Sequence, residues 1–209
     1  TRNSPIRSLH YKFQKLHSMK IFKSRLLNCF AVAVLLTLAT TMNSCGDKVE
    51  EGELITTVQL TLNLPGDSGK IYTWQDLDGP GGNNPVLPDT IILGQVTPGG
   101  NPYSGMLEFL NKQGGKNENI TLEIEKEKNN HLVCYEVSSL TMQPQSGITI
   151  SVTDKDDKSL PIGLKTEWKT KTTDKGEIWI RLKHQPNSKT GSCDVGETDV
   201  EVAFPYVIR

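Results

Sequence analysis

The sequence predicts an all-β protein: a single antiparallel β-sandwich-like (Ig-like) domain over residues 54–209, with about nine strands, room for one short helix, and a signal peptide before it. Three observations carry this reading. From residue 54 onward apolar residues recur at every second position. Clusters of Gly, Pro, Asn and Asp punctuate the pattern, as in Pro65-Gly66-Asp67-Ser68-Gly69 and across 78–85. No stretch of period 3.6 is long enough for a helical domain, and no fixed-length repeat occurs.

The elements follow in order. Val58, Leu60, Leu62 and Leu64 share one face of the first strand, with Thr57, Gln59, Thr61 and Asn63 on the other. Similar alternation marks 70–75, 90–96, 103–110, 131–137, 148–153, 164–170, 177–183 and 198–204. One apolar face per strand is what two packed antiparallel sheets require. Segment 118–128 is ambiguous: Ile120, Leu122 and Ile124 alternate like a strand, yet Glu-Ile-Glu-Lys-Glu-Lys is good helix composition. Trp74, Trp168 and Trp179 each fall inside an alternating strand, where the ordinary role is core or cross-strand packing; the alternative is a solvent-facing pair that stacks on sugar rings.

The 209 residues allow one ordinary domain and an appendage. The net charge of −1 hides an asymmetry, because residues 1–44 hold seven basic residues and no acidic one. The body then has 16 Lys and Arg against 24 Asp and Glu. So acidic a body lacks the positive charge that meets phosphate, and no nucleic-acid partner is expected.

The basic end reads as an address. Met19 is the favoured start residue, and 1–18 read as an over-extended, disordered start. Lys20, Lys23 and Arg25 form a positive n-region, and 26–42 run without charge. Seventeen helical residues reach roughly 26 Å, short of the roughly 30 Å hydrocarbon core, so a cleaved signal over 19–44 is favoured over a retained span. The Ser44-Cys45 junction resembles the lipobox of bacterial lipoproteins, in its looser Bacteroidetes form, with Met42 and Asn43 departing from the commonest pattern. That resemblance implies lipid attachment at Cys45 and anchorage at the outer membrane, on its periplasmic or cell-surface side. Several acyl chains at one site anchor firmly where one chain binds marginally. Residues 45–53 form a short acidic tether that is similar to the surface-export signals of some Bacteroidetes lipoproteins and reads equally as a solvated linker.

Few residues suggest chemistry. Cys29 leaves with the signal, so Cys134 and Cys193 remain as an even pair that either forms a disulfide in an oxidising compartment or stays as two thiols. Asp76 and Asp78, and Asp154, Asp156 and Asp157, put carboxylates at alternate or neighbouring loop positions; Ca²⁺ takes such oxygens, but turns enrich Asp without any metal, and no cofactor is expected. Asp89-Thr90-Ile91 resembles a Bacteroidetes O-glycosylation sequon at Thr90. The body's histidines, His131 and His184, stand at strand ends, and Glu197 and Asp199 read as solvated acids on one strand face. No Gly-x-Ser-x-Gly, His-Glu-x-x-His or phosphate-binding loop occurs, so no catalytic residue is assigned.

Finally, Trp74-Gln75-Asp76-Leu77-Asp78-Gly79, Pro161-Ile162-Gly163-Leu164, Leu182-Lys183-His184-Gln185-Pro186-Asn187 and Gly196-Glu197-Thr198-Asp199-Val200-Glu201-Val202 are similar to segments of a family of small exported flavobacterial proteins of unknown function. Some members carry the name "type 1 periplasmic binding fold superfamily protein". Such a fold alternates strands and helices in two lobes, which the period-two pattern here cannot supply. Cys134 and Cys193 stand outside the shared segments. The expected role is a non-catalytic envelope module that binds a glycan, peptide or envelope protein. The rivals are an accessory subunit of an outer-membrane complex and a cryptic hydrolase.

Overall fold

In a computed structural model the described residues are 54–209, apart from 64–68, 80, 97–99 and 142–146. The expected start segment 1–18, the expected signal over 19–44, the candidate lipid site Cys45 and the expected tether over 45–53 lie outside them. The alternating segments form ten strands: β1 (Thr57–Asn63), β2 (Lys70–Gln75), β3 (Ile91–Leu93), β4 (Tyr103–Asn111), β5 (Glu118–Asn119), β6 (His131–Ser139), β7 (Ile148–Val152), β8 (Lys165–Thr170), β9 (Asp174–His184) and β10 (Glu197–Ile208). Between β5 and β6 lies the helix α1 (Thr121–Lys126). One sheet runs β2-β1-β4-β8-β7, with β5 against β4, and the other runs β3-β10-β9-β6. The inward residues of both, among them Val58, Leu60, Phe109, Trp168, Ile178, Ile180 and Phe204, form one buried cluster, as a sandwich core requires.

Several boundaries differ from the sequence pattern. The strand expected over 90–96 shrinks to β3 because the backbone beyond it pairs with side chains. Gly94 N–H donates to Tyr103 Oη at 2.8 Å, Val96 N–H donates to Thr170 Oγ1 at 3.0 Å, and Thr170 Oγ1 donates to Gly94 C=O at 2.6 Å. β3 also pairs parallel with β10, the one departure from antiparallel pairing among the described strands. β10 runs past the expected residue 204 to Ile208, through Pro205. Proline is tolerated there because β3 pairs only with Tyr206, Val207 and Ile208, so no β3 residue faces the missing N–H. Segment 118–128 holds both alternatives, β5 and then α1. Ile120 and Ile124, four apart, are buried on one helical face while Leu122 points outward at 62% exposure. Thr121 Oγ1 fixes α1 to the sheet by accepting from Phe109 N–H at 2.8 Å.

Trp168 is fully buried, and its indole N–H donates to Thr166 Oγ1 at 2.7 Å. Gly105 on β4 makes room for this pair, since a Cβ there would stand 2.4 Å from Thr166 Oγ1 and 2.8 Å from Trp168 Nε1. Trp74 packs against the core at the edge of its sheet, whereas Trp179 lies half-buried opposite Ala203 and Glu136 on the other sheet. The three tryptophans therefore form no shared platform for a sugar.

Candidate functional site

At one end of the sandwich, the residues leading into β1 meet the end of β2 and the start of β10. Thr56 anchors the entry: its N–H donates to Leu110 C=O at 3.0 Å, its C=O accepts from Asp76 N–H at 2.9 Å, and its Oγ1 accepts from Lys112 N–H at 2.7 Å. A groove of about 530 Å³ opens beside it, lined by the apolar Leu54, Ile55, Trp74 and Val200, by Thr198, and by the acidic residues Asp76, Glu197, Asp199 and Glu201. No basic side chain lines it.

A bulge in β10 shapes the far wall. Thr198 faces Lys183 and Val200 faces Leu182, so Asp199 is the extra residue between two registered pairs. The reading of Glu197 and Asp199 as solvated acids on one strand face holds for Glu197, which is exposed, and fails for Asp199, which the bulge sets apart. Thr198 lies beside Lys183, whose ammonium donates to its Oγ1 at 2.9 Å. Asp199 is half-buried, and its Oδ2 is buried with no hydrogen-bond donor. Burial pushes the Asp199 carboxyl up, with the nearby His184 and Lys183 opposing the rise and Glu197 adding to it. Glu201 is paired with Arg181, which also holds Glu136 at 2.8 Å. Asp76, Glu197 and Asp199 have no ion-pair partner among the described residues.

The two histidines face each other across β6 and β9 and stack, with ring centroids 4.9 Å apart. Burial lowers the His131 pKa, against the pull of the Glu127 carbonyl that lies 3.2 Å from its Nδ1. His184 Nε2 is buried without a partner, near Asp199. Thr198 is the hydroxyl side chain among the residues that line the groove, and its Oγ1 accepts from the Lys183 ammonium.

Of the other singled-out residues, Asp76 lines the groove and the rest lie elsewhere. Asp76 Oδ1 accepts from Gly79 N–H at 3.0 Å, and Asp78 Oδ2 accepts from both Asn83 N–H and Asn83 Nδ2 at 2.7 Å. Asp154 accepts from Gly163 and Leu164 N–H, Asp156 pairs with the buried Lys189 at 2.9 Å, and Asp157 pairs with Lys128. The Ca²⁺ candidates are thus turned toward different partners rather than toward a common point, and no cluster of three or more metal-ligating side chains occurs among the described residues. Cys134 and Cys193 are joined in a disulfide that ties the β9–β10 loop to β6. Thr90 is exposed just before β3. No helix among the described residues is long and apolar enough to cross a membrane.

Sequence reasoning missed the groove because Trp74 and Asp199 are distant in the chain and a bulge leaves no hydrophobic signature. The available signal was the run of acids opening β10. Comparison with protein-family models, with curated proteins and with solved structures finds no match.

Proposed function

We propose that the chain is a cell-envelope lipoprotein whose β-sandwich is a non-catalytic binding module, held at the outer membrane through a lipidated Cys45. The observation that supports binding is the groove beside Trp74. An aromatic ring, apolar side chains and a few polar groups converge there in a cavity of about 530 Å³, within the range of roughly 300–1,000 Å³ typical of ligand sites. Leu54, the first described residue, lines it, so the groove lies close in sequence to the acidic tether of 45–53.

The test is a binding panel on the whole chain purified in detergent, with neutral oligosaccharides and short peptides as probes and the Trp74 indole NMR signal as readout. The reading expects at least one class of probe to move that signal and Trp74→Ala to abolish binding while the fold persists. Binding that survives Trp74→Ala would place the ligand elsewhere. Stable co-purification of an envelope protein, with no small probe bound, would favour the accessory-subunit reading.

A further inference from the structure

We propose that the groove is a receptor for a cationic side chain, arginine above all, presented on an extended peptide. This inference rests on the binding reading and names the ligand class for the same site. Three features of the groove support it.

The first is charge. Asp76, Glu197 and Asp199 line the groove with no ion-pair partner among the described residues, and no basic side chain stands among the lining residues. The second is donor balance. Carboxylates accept and do not donate, and four of the residues that line the groove, Asp76, Glu197, Asp199 and Glu201, are acids. A sugar hydroxyl both donates and accepts, so it would find many acceptors here and few donors. A guanidinium brings five donors and no acceptor, the complement of this wall. The third is shape and polarity. Leu54, Ile55 and Val200 line the groove with apolar residues suited to a methylene stem, and Trp74 brings to it an aromatic residue of the kind that attracts a guanidinium. Glu201 is already committed to Arg181, a cation–carboxylate pair of the same kind at the rim of the groove.

The experiment uses the whole chain in detergent and three probes: an acetylated and amidated Ala-Ala-Arg-Ala-Ala peptide, the same peptide with citrulline for arginine, and a neutral N-acetylglucosamine trimer. Citrulline keeps the shape and removes the charge. The inference expects the arginine peptide to move the Trp74 indole signal, the citrulline peptide to bind about tenfold more weakly, and added salt to weaken the arginine peptide alone. Asp199→Asn should weaken the arginine peptide about tenfold and leave the citrulline peptide unchanged. Glu197→Gln, at an exposed position, gives the same test without disturbing the bulge, with a smaller loss expected. Equal binding of the two peptides would overturn the inference, as would indifference to both substitutions. Trp74-dependent binding of the sugar trimer alone would also overturn it but leave the binding-module reading standing. Silence from all three probes would overturn the inference, and the wider binding panel would then decide the reading on which it rests.

Discussion

At the residue scale, the most constrained side chain is Asp174, which opens β9 on the buried side. Its carboxylate accepts from Ser139 Oγ and Thr141 Oγ1 at 2.6 Å, and from Gly147 N–H and Tyr206 Oη at 2.7 Å. Burial alone would raise its pKa, but these donors together hold it well below the usual carboxylate range. Burial and the same bond to Asp174 push the Tyr206 phenol up. A depressed folded pKa contributes stability that is present above the unfolded value near 3.9 and is lost as pH falls below it. His131 adds in the same direction at higher pH. Its folded pKa is lowered by burial, so the unfolded chain takes up the proton first, and stability declines as pH falls below about 6.5. Equilibrium urea unfolding should therefore show two losses on acidification. His131→Gln should flatten the upper one, and Asp174→Asn should cost about 2 kcal/mol at pH 7 and flatten the lower one. A second residue-scale prediction concerns Lys189, whose ammonium is buried against Asp156 Oδ2 at 2.9 Å and donates to Lys128 C=O at 2.7 Å. Removing one partner of a buried pair leaves the other uncompensated, so Lys189→Ala should destabilise by about 3 kcal/mol. If urea midpoints move by far less, the pair is not held as described.

At the scale of elements, the β9–β10 loop is the piece whose attachment is most specific. Gln185 Nε2 donates to Ser192 C=O and Val195 C=O at 2.8 Å, Lys189 reaches inward, and the disulfide fastens Cys193 to β6. The cross-link closes a separation of 59 residues, for which the chain-entropy account gives roughly 4 kcal/mol. Replacing both cysteines by serine should lower the unfolding free energy by up to that amount and leave the circular-dichroism spectrum of the folded state intact. Gly105→Ala should act through packing instead. Its new Cβ meets Thr166 and the Trp168 ring, and overpacking of this kind costs about 1–3 kcal/mol. The strands were legible in the sequence because alternation is a local property: Val58, Leu60 and Leu62 announce their own face. The end of β3 was not, because its backbone groups are captured by the side chains of Tyr103 on the next strand and of Thr170, 76 residues from Gly94 in the chain. α1 was half legible. Its charged composition was visible, but the choice of Ile120 and Ile124 over Leu122 for the core is made by the sheet it packs on.

For the whole molecule, a proposed anchor at Cys45 would hold a domain whose described residues form a groove. Cys45 was legible as a candidate because the lipobox is a short contiguous signal. The groove was not legible, since it is assembled from the β1 entry, the end of β2 and the bulge of β10. The net-acidic body, with 16 Lys and Arg against 24 Asp and Glu, suits a cationic ligand. The anchor is the central claim, because it decides where any ligand must be sought. Its most direct test is mass analysis of the N-terminal peptide of the chain isolated from the membranes of a Bacteroidetes host, before and after protease treatment of intact cells. The account predicts a chain that begins at Cys45 and carries acyl groups there. A chain that retains the residues before Cys45, or one that begins elsewhere without lipid, would contradict it.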